Sequence, residues 1–284
     1  MKFRHLLAMT HPFLAASRRV VQTDHSHGSV SVLVYHSVPE VMLPALKSQL
    51  TWLAERYTFI TPNTFHSFIS GKTTLSGRQI LVTFDDGFLS SFIATRKVLD
   101  PLHIKALFFI PSAFPDLREK SAWRTYVSNN FFRGRLPAES FSDDEKPMSW
   151  DEIDILVENG HQIGAHTISH LRLSDTDDPE QLDRELTDSK IRLEEHLNIP
   201  MEVLAYPFGT IGSIHSLALE RISKLYRYCH SGIRGINDKN TNPLAIRREM
   251  VSLEDPPNYV GFLVEGGLDK RYKNERKRLD GWVS

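Results

Sequence analysis

The chain has 284 residues, 40% hydrophobic and 24% charged, which fits a globular protein with a sizeable core and excludes collagen, coiled coil and disorder. Lys and Arg total 34 against 35 Asp and Glu, a net charge of -1, which argues against a nucleic-acid binder. One cysteine, Cys229, excludes an internal disulfide framework and any cysteine-built zinc site.

Residues 1–16, MKFRHLLAMTHPFLAA, carry early positive charge and a late Ala-Ala, but His5, Thr10, His11 and Pro12 interrupt the apolar stretch. With no continuous hydrophobic region, residues 1–28 read as an uncleaved leader rather than a signal peptide, and the expected location is the cytoplasm. No apolar run approaches the roughly 20 residues of a membrane helix.

Seven short apolar runs read as strands: 29–36 (SVSVLVYH), 79–86 (QILVTFDD), 105–112 (KALFFIPS), 160–167 (GHQIGAHT), 201–209 (MEVLAYPFG), 225–231 (LYRYCHS) and 244–251 (LAIRREMV). Helical patterns lie between them. Residues 43–56 place Leu43, Leu46, Leu50 and Leu53 on one stripe, and 90–99 follow the second strand. Residues 149–159 open with Ser149 and Glu152 at capping-box spacing and stop before Gly160. Residues 179–197 and 213–224 are the remaining helices. Alternating strands and helices predict an α/β protein with a largely parallel sheet, and seven units in one chain fit a single-domain barrel.

Two stretches fall outside this alternation. Residues 113–147 form a long insertion whose Trp123, Tyr126, Phe131 and Phe132 could stack on a ligand or build a small satellite core. The tail 270–278, KRYKNERKR, is basic and reads as a solvated helix end, with peripheral contact to an anionic membrane as the second reading.

In a parallel barrel, chemistry gathers at the carboxyl ends of the strands. The second strand ends in Asp85-Asp86-Gly87. In a regular strand adjacent carboxylates point to opposite sides, unless the turn at Gly87 re-aims them; one could then bind a metal while the other stays free as a base. By itself the triplet is also good turn chemistry. The fourth strand ends in His166-Thr167-Ile168-Ser169-His170, two imidazoles four apart, which can share one face of a helical turn. One carboxylate and two imidazoles make a three-ligand site with an open position, as in catalytic zinc centres.

Taken together, TFDDG, HTISH and the later YPFG resemble the first three motifs of the polysaccharide deacetylases, carbohydrate esterase family four, also called the nodulation-deacetylase homology domain. The run MSWDEIDILVENGHQIGAHTISHLRLS and the opening VLVYHSV are similar to that family too, so the resemblance covers roughly residues 30–251. It implies a distorted (β/α)7-type barrel over residues 29–255, followed by a C-terminal helix and basic tail over 256–284. It also implies a metal-dependent hydrolase that removes an N-acetyl group from an amino sugar in a glycan or glycan precursor. By the same resemblance Asp85 is the base, Asp86, His166 and His170 hold one divalent ion (zinc, with cobalt or nickel as alternatives), and Tyr206, Pro207 and Phe208 line the acetyl pocket. The Phe208 N–H would help hold the oxyanion.

The chain departs from the family pattern at two places. Ala205 stands where many members carry an arginine, so the charge partner of Asp85 is expected to be Arg248, with Arg247 in reserve. The family's C-terminal histidine motif is absent after Val251. His36, which closes the first strand at the same face, is the expected general acid, and His230 is the runner-up. Two alternatives remain at this stage: an O-deacetylase acting on a glycan ester, and a metal-binding glycan-recognition protein without turnover.

Overall fold

A computed structural model describes residues 28–283. The reading of residues 1–28 as a leader falls, apart from Gly28, outside the described residues.

Eight parallel strands form one sheet: β1 (Ser29–Tyr35), β2 (Thr58–Phe59), β3 (Arg78–Phe84), β4 (Ala106–Ile110), β5 (Gln162–Ala165), β6 (Val203–Ala205), β7 (Tyr228–His230) and β8 (Glu249–Met250). Their order is β7-β6-β5-β4-β3-β1-β8, with β2 paired to the start of β3. A parallel bridge between His230 and Ile246 joins the segment leading into β8 to β7 and closes the curl. The ring is therefore a distorted barrel of seven strands, each overlapping a run that the sequence predicts, with β3 starting one residue early at Arg78. The two-residue β2 is an addition that no periodicity could announce.

Side-chain alternation divides the strands into two layers. Val30, Val32, Leu81, Leu107, Phe109, Val203, Ala205, Tyr228 and Ile246 form one cluster inside the ring. The alternate residues, among them Leu33, Tyr35, Ile80, Val82, Phe84, Phe108, Ile110, Ile163, Leu204 and Cys229, join the helices outside it. Gly164 sits on β5 where an added Cβ would lie 2.7 Å from the Phe109 ring, so that ring fills the interior only because β5 has no side chain there.

The helices cover the outside and one end. In α1 (Leu43–Ala54), Leu46, Leu50 and Leu53 are fully buried, each worth about 1.5–3 kcal/mol of transfer energy. In α2 (Pro62–Ile69), capped by Thr61, Phe65, Phe68 and Ile69 pack into the barrel-interior cluster. Next come α3 (Leu89–Ala94) and, within the insertion, α4 (Lys120–Tyr126). Each runs on into a wider π-helical turn, Thr95–Leu99 and Val127–Phe131. In α5 (Trp150–Glu158) the expected capping box is present, the Glu152 N–H donating to Ser149 Oγ at 3.3 Å and the Ser149 N–H to Glu152 at 2.6 Å. The helix expected over 179–197 is three pieces: α6 (Pro179–Asp183), a π-helical turn (Arg184–Asp188) and α7 (Ser189–Leu197). Beyond α8 (Ser216–Leu225), α9 (Pro257–Val264) and α10 (Lys273–Trp282) complete the chain. Helix α9 is core rather than tail: Tyr259 to Val264 are buried, and Ser31 Oγ donates to the Val264 carbonyl. Among the described residues, no helix is long and apolar enough to cross a membrane.

Candidate active site

The carboxyl ends of β1, β3 and β5 and the loop after β6 surround a cleft of about 340 Å³. His36, Asp85, Asp86, His166, His170, Phe208 and Arg248 all line it. The backbone there is unusual. Among the described residues with positive φ are Asp86 (74°), Thr167 (63°), His170 (62°) and Phe208 (64°), a conformation that costs non-glycine residues energy and tends to collect at functional sites. At Asp86 this conformation, followed by Gly87 at φ 72°, breaks strand alternation, so both adjacent carboxylates face the cleft.

Asp86, His166 and His170 are buried and bring three potential ligand atoms within 4.8 Å of one another. Asp86 Oδ1 lies 3.5 Å from His166 Nε2 and 3.3 Å from His170 Nε2. On the far side of each ring, His166 Nδ1–H donates to the Ala205 carbonyl at 2.7 Å and His170 Nδ1–H to the Asn130 carbonyl at 3.1 Å. Those bonds leave the Nε2 lone pairs directed at Asp86, the tautomer and orientation of a metal-ligating imidazole. Burial raises the Asp86 carboxyl, but the two imidazoles that face it outweigh that and hold the group well below the carboxylate range. Burial depresses the His170 imidazole, which also favours the neutral, ligating form. The donor set fits a divalent ion.

The two histidines do not share a helical turn. They sit on an irregular loop, which Glu185 from the π-helical turn after α6 holds. Its carboxylate accepts from the Ile168 and Ser169 N–H groups, both at 3.0 Å, and from Ser169 Oγ at 2.6 Å. Phe131 and Phe208 flank the His170 ring at 4.6 and 4.8 Å.

Asp85 receives a two-pronged ion pair from Arg248, at 2.6 and 2.8 Å. The guanidinium is itself pinned by Nε to the Ser231 carbonyl at 2.7 Å and lies over the Phe109 ring. Burial of Asp85 acts upward, but Arg248, followed by His166, holds the carboxyl below its usual range, so it is ionised. Arg247, the reserve, turns away and pairs with Asp280 on α10.

His36 lines the cleft, half-buried, and adds a favourable field at both carboxylates. His230 does not reach it. Its bridge to Ile246 puts it two residues short of Arg248 on the neighbouring segment, and its ring packs among Phe65, His66 and Phe109. Tyr206 is a second correction. Because Ala205 faces inward, Tyr206 faces the helices, fully buried, with its hydroxyl on the Gly209 carbonyl at 3.0 Å. Pro207 is buried and shapes the turn without lining the cleft. Phe208 alone of the three meets the cleft, and its N–H has no hydrogen-bond partner among the described residues. Gly209 ends the motif because an added Cβ would lie 2.5 Å from Gly232 N, where the two backbones cross.

The insertion builds the satellite core and puts two of its four aromatics beside the cleft. Trp123, Tyr126 and Phe131 build a satellite core with Phe88, Phe114, Val127 and Phe141, while Phe131 and Phe132 also wall the cleft. Glu185 and Asn130, which orient the histidine loop, carry no local sequence signal.

The sequence pattern of the family described as polysaccharide deacetylase matches residues 72–225. The YxkH protein of Bacillus subtilis (strain 168) is 22% identical over 184 residues, 63% of this chain and 56% of that protein. A gellan lyase of a Bacillus species is 30% identical over 202 residues, 68% of this chain but 7% of that enzyme. The chain thus spans about half of the first relative and a small part of the second. Among solved structures, the Streptococcus pyogenes deacetylase PplD in complex with acetate matches with a TM-score of 0.64 at 18% identity, covering 83% of this chain and 97% of that one. IcaB from Ammonifex degensii matches at 0.62 and 22%, covering 84% and 100%. These likenesses establish the fold.

Proposed function

Since the chain belongs to the polysaccharide deacetylase family, we propose that it hydrolyses an N-acetyl group from an amino sugar in a glycan or glycan precursor, using one divalent ion. The observation that carries this reading is the adjacency of two differently prepared carboxylates, Asp85 ionised by Arg248 and Asp86 facing two oriented imidazoles.

Asp86, His166 and His170 would hold the ion, zinc by the nature of the donor set, with cobalt and nickel compatible. Such an ion supplies Lewis acidity, lowering the pKa of water to about 7 and polarising a carbonyl. Asp85 Oδ takes a proton from the attacking water as general base. Arg248 keeps that oxygen charged and aimed. The Phe208 N–H donates to the oxyanion that forms at the acetyl carbon. His36 Nε2 or Nδ1 delivers a proton to the departing nitrogen, because an amide anion is too poor a leaving group near neutral pH. Phe131 and Phe208 exclude bulk water from one side.

The test is acetate release from N-acetylated chitooligosaccharides, with and without chelator, beside an O-acetylated xylan. Chelator-sensitive release from the amide supports the reading. Release from the ester alone would replace it with O-deacetylation, and no release from either, with metal bound at one equivalent, would leave a glycan-binding role. The double variant His166→Ala, His170→Ala is expected to lose both metal and turnover; stoichiometric metal in it would reject the site.

A further inference from the structure

We propose that the cleft is extended by an oxyanion-binding subsite formed by Arg133, Arg135 and Arg172, so that the substrate is an acidic glycan with a carboxylate or phosphate near the sugar being deacetylated. This rests on the deacetylase reading and specifies its substrate class.

Two recesses of about 380 and 310 Å³ adjoin the cleft, sharing His170 and Phe208 or Phe131, Phe132 and Phe208 with it as walls. Arg133 and Arg172 line both recesses, and Arg135 lines the second. Among the described residues that line the recesses, the one carboxylate is Asp175, 3.0 Å from Arg133 and 3.7 Å from Arg172. Three guanidinium charges against one carboxylate leave a surplus of two. Arg172 is held in place by the Gly212 carbonyl at 2.8 Å, and the Arg135 guanidinium has no ion-pair partner among the described residues. Guanidinium forks match carboxylate and phosphate oxygens in pairs. Phe132, 37% exposed, supplies an apolar face beside them for a sugar ring.

Glu145 and Ser37 line the cleft but neither recess, with Ser37 Oγ donating to Glu145 at 3.3 Å. The field across the cleft therefore orients an acidic chain with its negative group toward the arginines and the acetamide between them and His36. Arg133 and Arg135 come from the insertion, and Arg172 stands two residues after His170.

The experiment compares acetate release from a hyaluronan tetrasaccharide, in which uronate and N-acetylglucosamine alternate, with neutral chitotetraose, at low and high salt. UDP-N-acetylglucosamine serves as the phosphate arm and separates the two oxyanion sources. The acidic substrates are expected to have the higher kcat/KM, with the preference shrinking as salt rises. In the double variant Arg135→Ala, Arg172→Ala the acidic-to-neutral ratio should fall about tenfold, at about two- to fivefold per exposed charge, chiefly through KM. Arg135→Lys with Arg172→Lys should retain part of it, which a loss of fold would not allow. A ratio near one in the wild-type protein, or one unchanged by the alanine pair, overturns the subsite. If no substrate releases acetate, the deacetylase reading fails. Calorimetric binding of the same tetrasaccharides then decides the subsite separately: salt-sensitive preference for the acidic one supports it, and equal binding overturns it.

Discussion

Asp85 and Arg248 show how a single contact governs both stability and chemistry. Both are at most 4% exposed, and the pair is closed by two hydrogen bonds. Breaking a buried pair by removing one partner strands the other charge, at a cost of about 3–5 kcal/mol. Arg248→Met is therefore expected to lower the unfolding free energy by roughly that amount. It should also cut acetate release by about 10²-fold or more, since the base is no longer held charged. The double variant with Asp85→Asn should regain much of the stability and none of the turnover. Denaturant titration checks the first outcome, and a single variant as stable as the wild-type protein would show the pair to be inessential. Arg248 was legible only through the family resemblance: Ala205 stands where many members carry an arginine, and Arg248 sits in the last predicted strand, beside Arg247.

The loop between β5 and α6 carries two of the three candidate ligands, His166 and His170, on a stretch without regular secondary structure. Its shape depends on Glu185, which satisfies two backbone N–H groups and one hydroxyl. Outer supports of this kind typically contribute 10- to 100-fold to metal affinity. Glu185→Ala should weaken zinc binding by about that factor, with the far-ultraviolet dichroism of the barrel unchanged. A metal titration matching that of the wild-type protein would assign the loop's shape to its own backbone. The contact joins residues 16 and 17 positions apart across two elements, and no periodicity marks it. By contrast, the capping box of α5 lies within four consecutive residues and was readable directly.

At the scale of the whole barrel, the interior holds a polar inclusion beneath the site. His66 stacks on Tyr228 and stands edge-on to His230, and His66 Nε2 and both His230 nitrogens meet no hydrogen-bond partner among the described residues. Burial pushes the His66 imidazole down from 6.5 to about 3, and His230 moves the same way. Unfolded, both would protonate below about 6.5. The stability they permit is thus complete above that pH and is lost as pH falls toward the folded value, about 1.4 kcal/mol per unit for each histidine. By pH 5, His66 alone should account for about 2 kcal/mol. Unfolding free energies measured from pH 8 to 5 should slope less in His66→Phe than in the wild-type protein, and parallel slopes would mean that the imidazole charges in place.

The sequence by itself determined the seven strand runs, the parallel alternation and the residues Asp85, Asp86, His166 and His170, because each depends on short-range pattern and on strand ends meeting at one face of a barrel. Tertiary structure decided which neighbours those residues keep. Strand alternation sends Tyr206 outward while its neighbour Ala205 faces in, and the register between β7 and the segment before β8 drops His230 below the cleft. Left-handed backbone at Asp86 turns two adjacent carboxylates to one side, and folding of the insertion brings Asn130, Phe131 and two arginines to the same opening. Orientation, burial and pairing are set by chain segments distant in sequence, whose contacts leave no periodic trace along it.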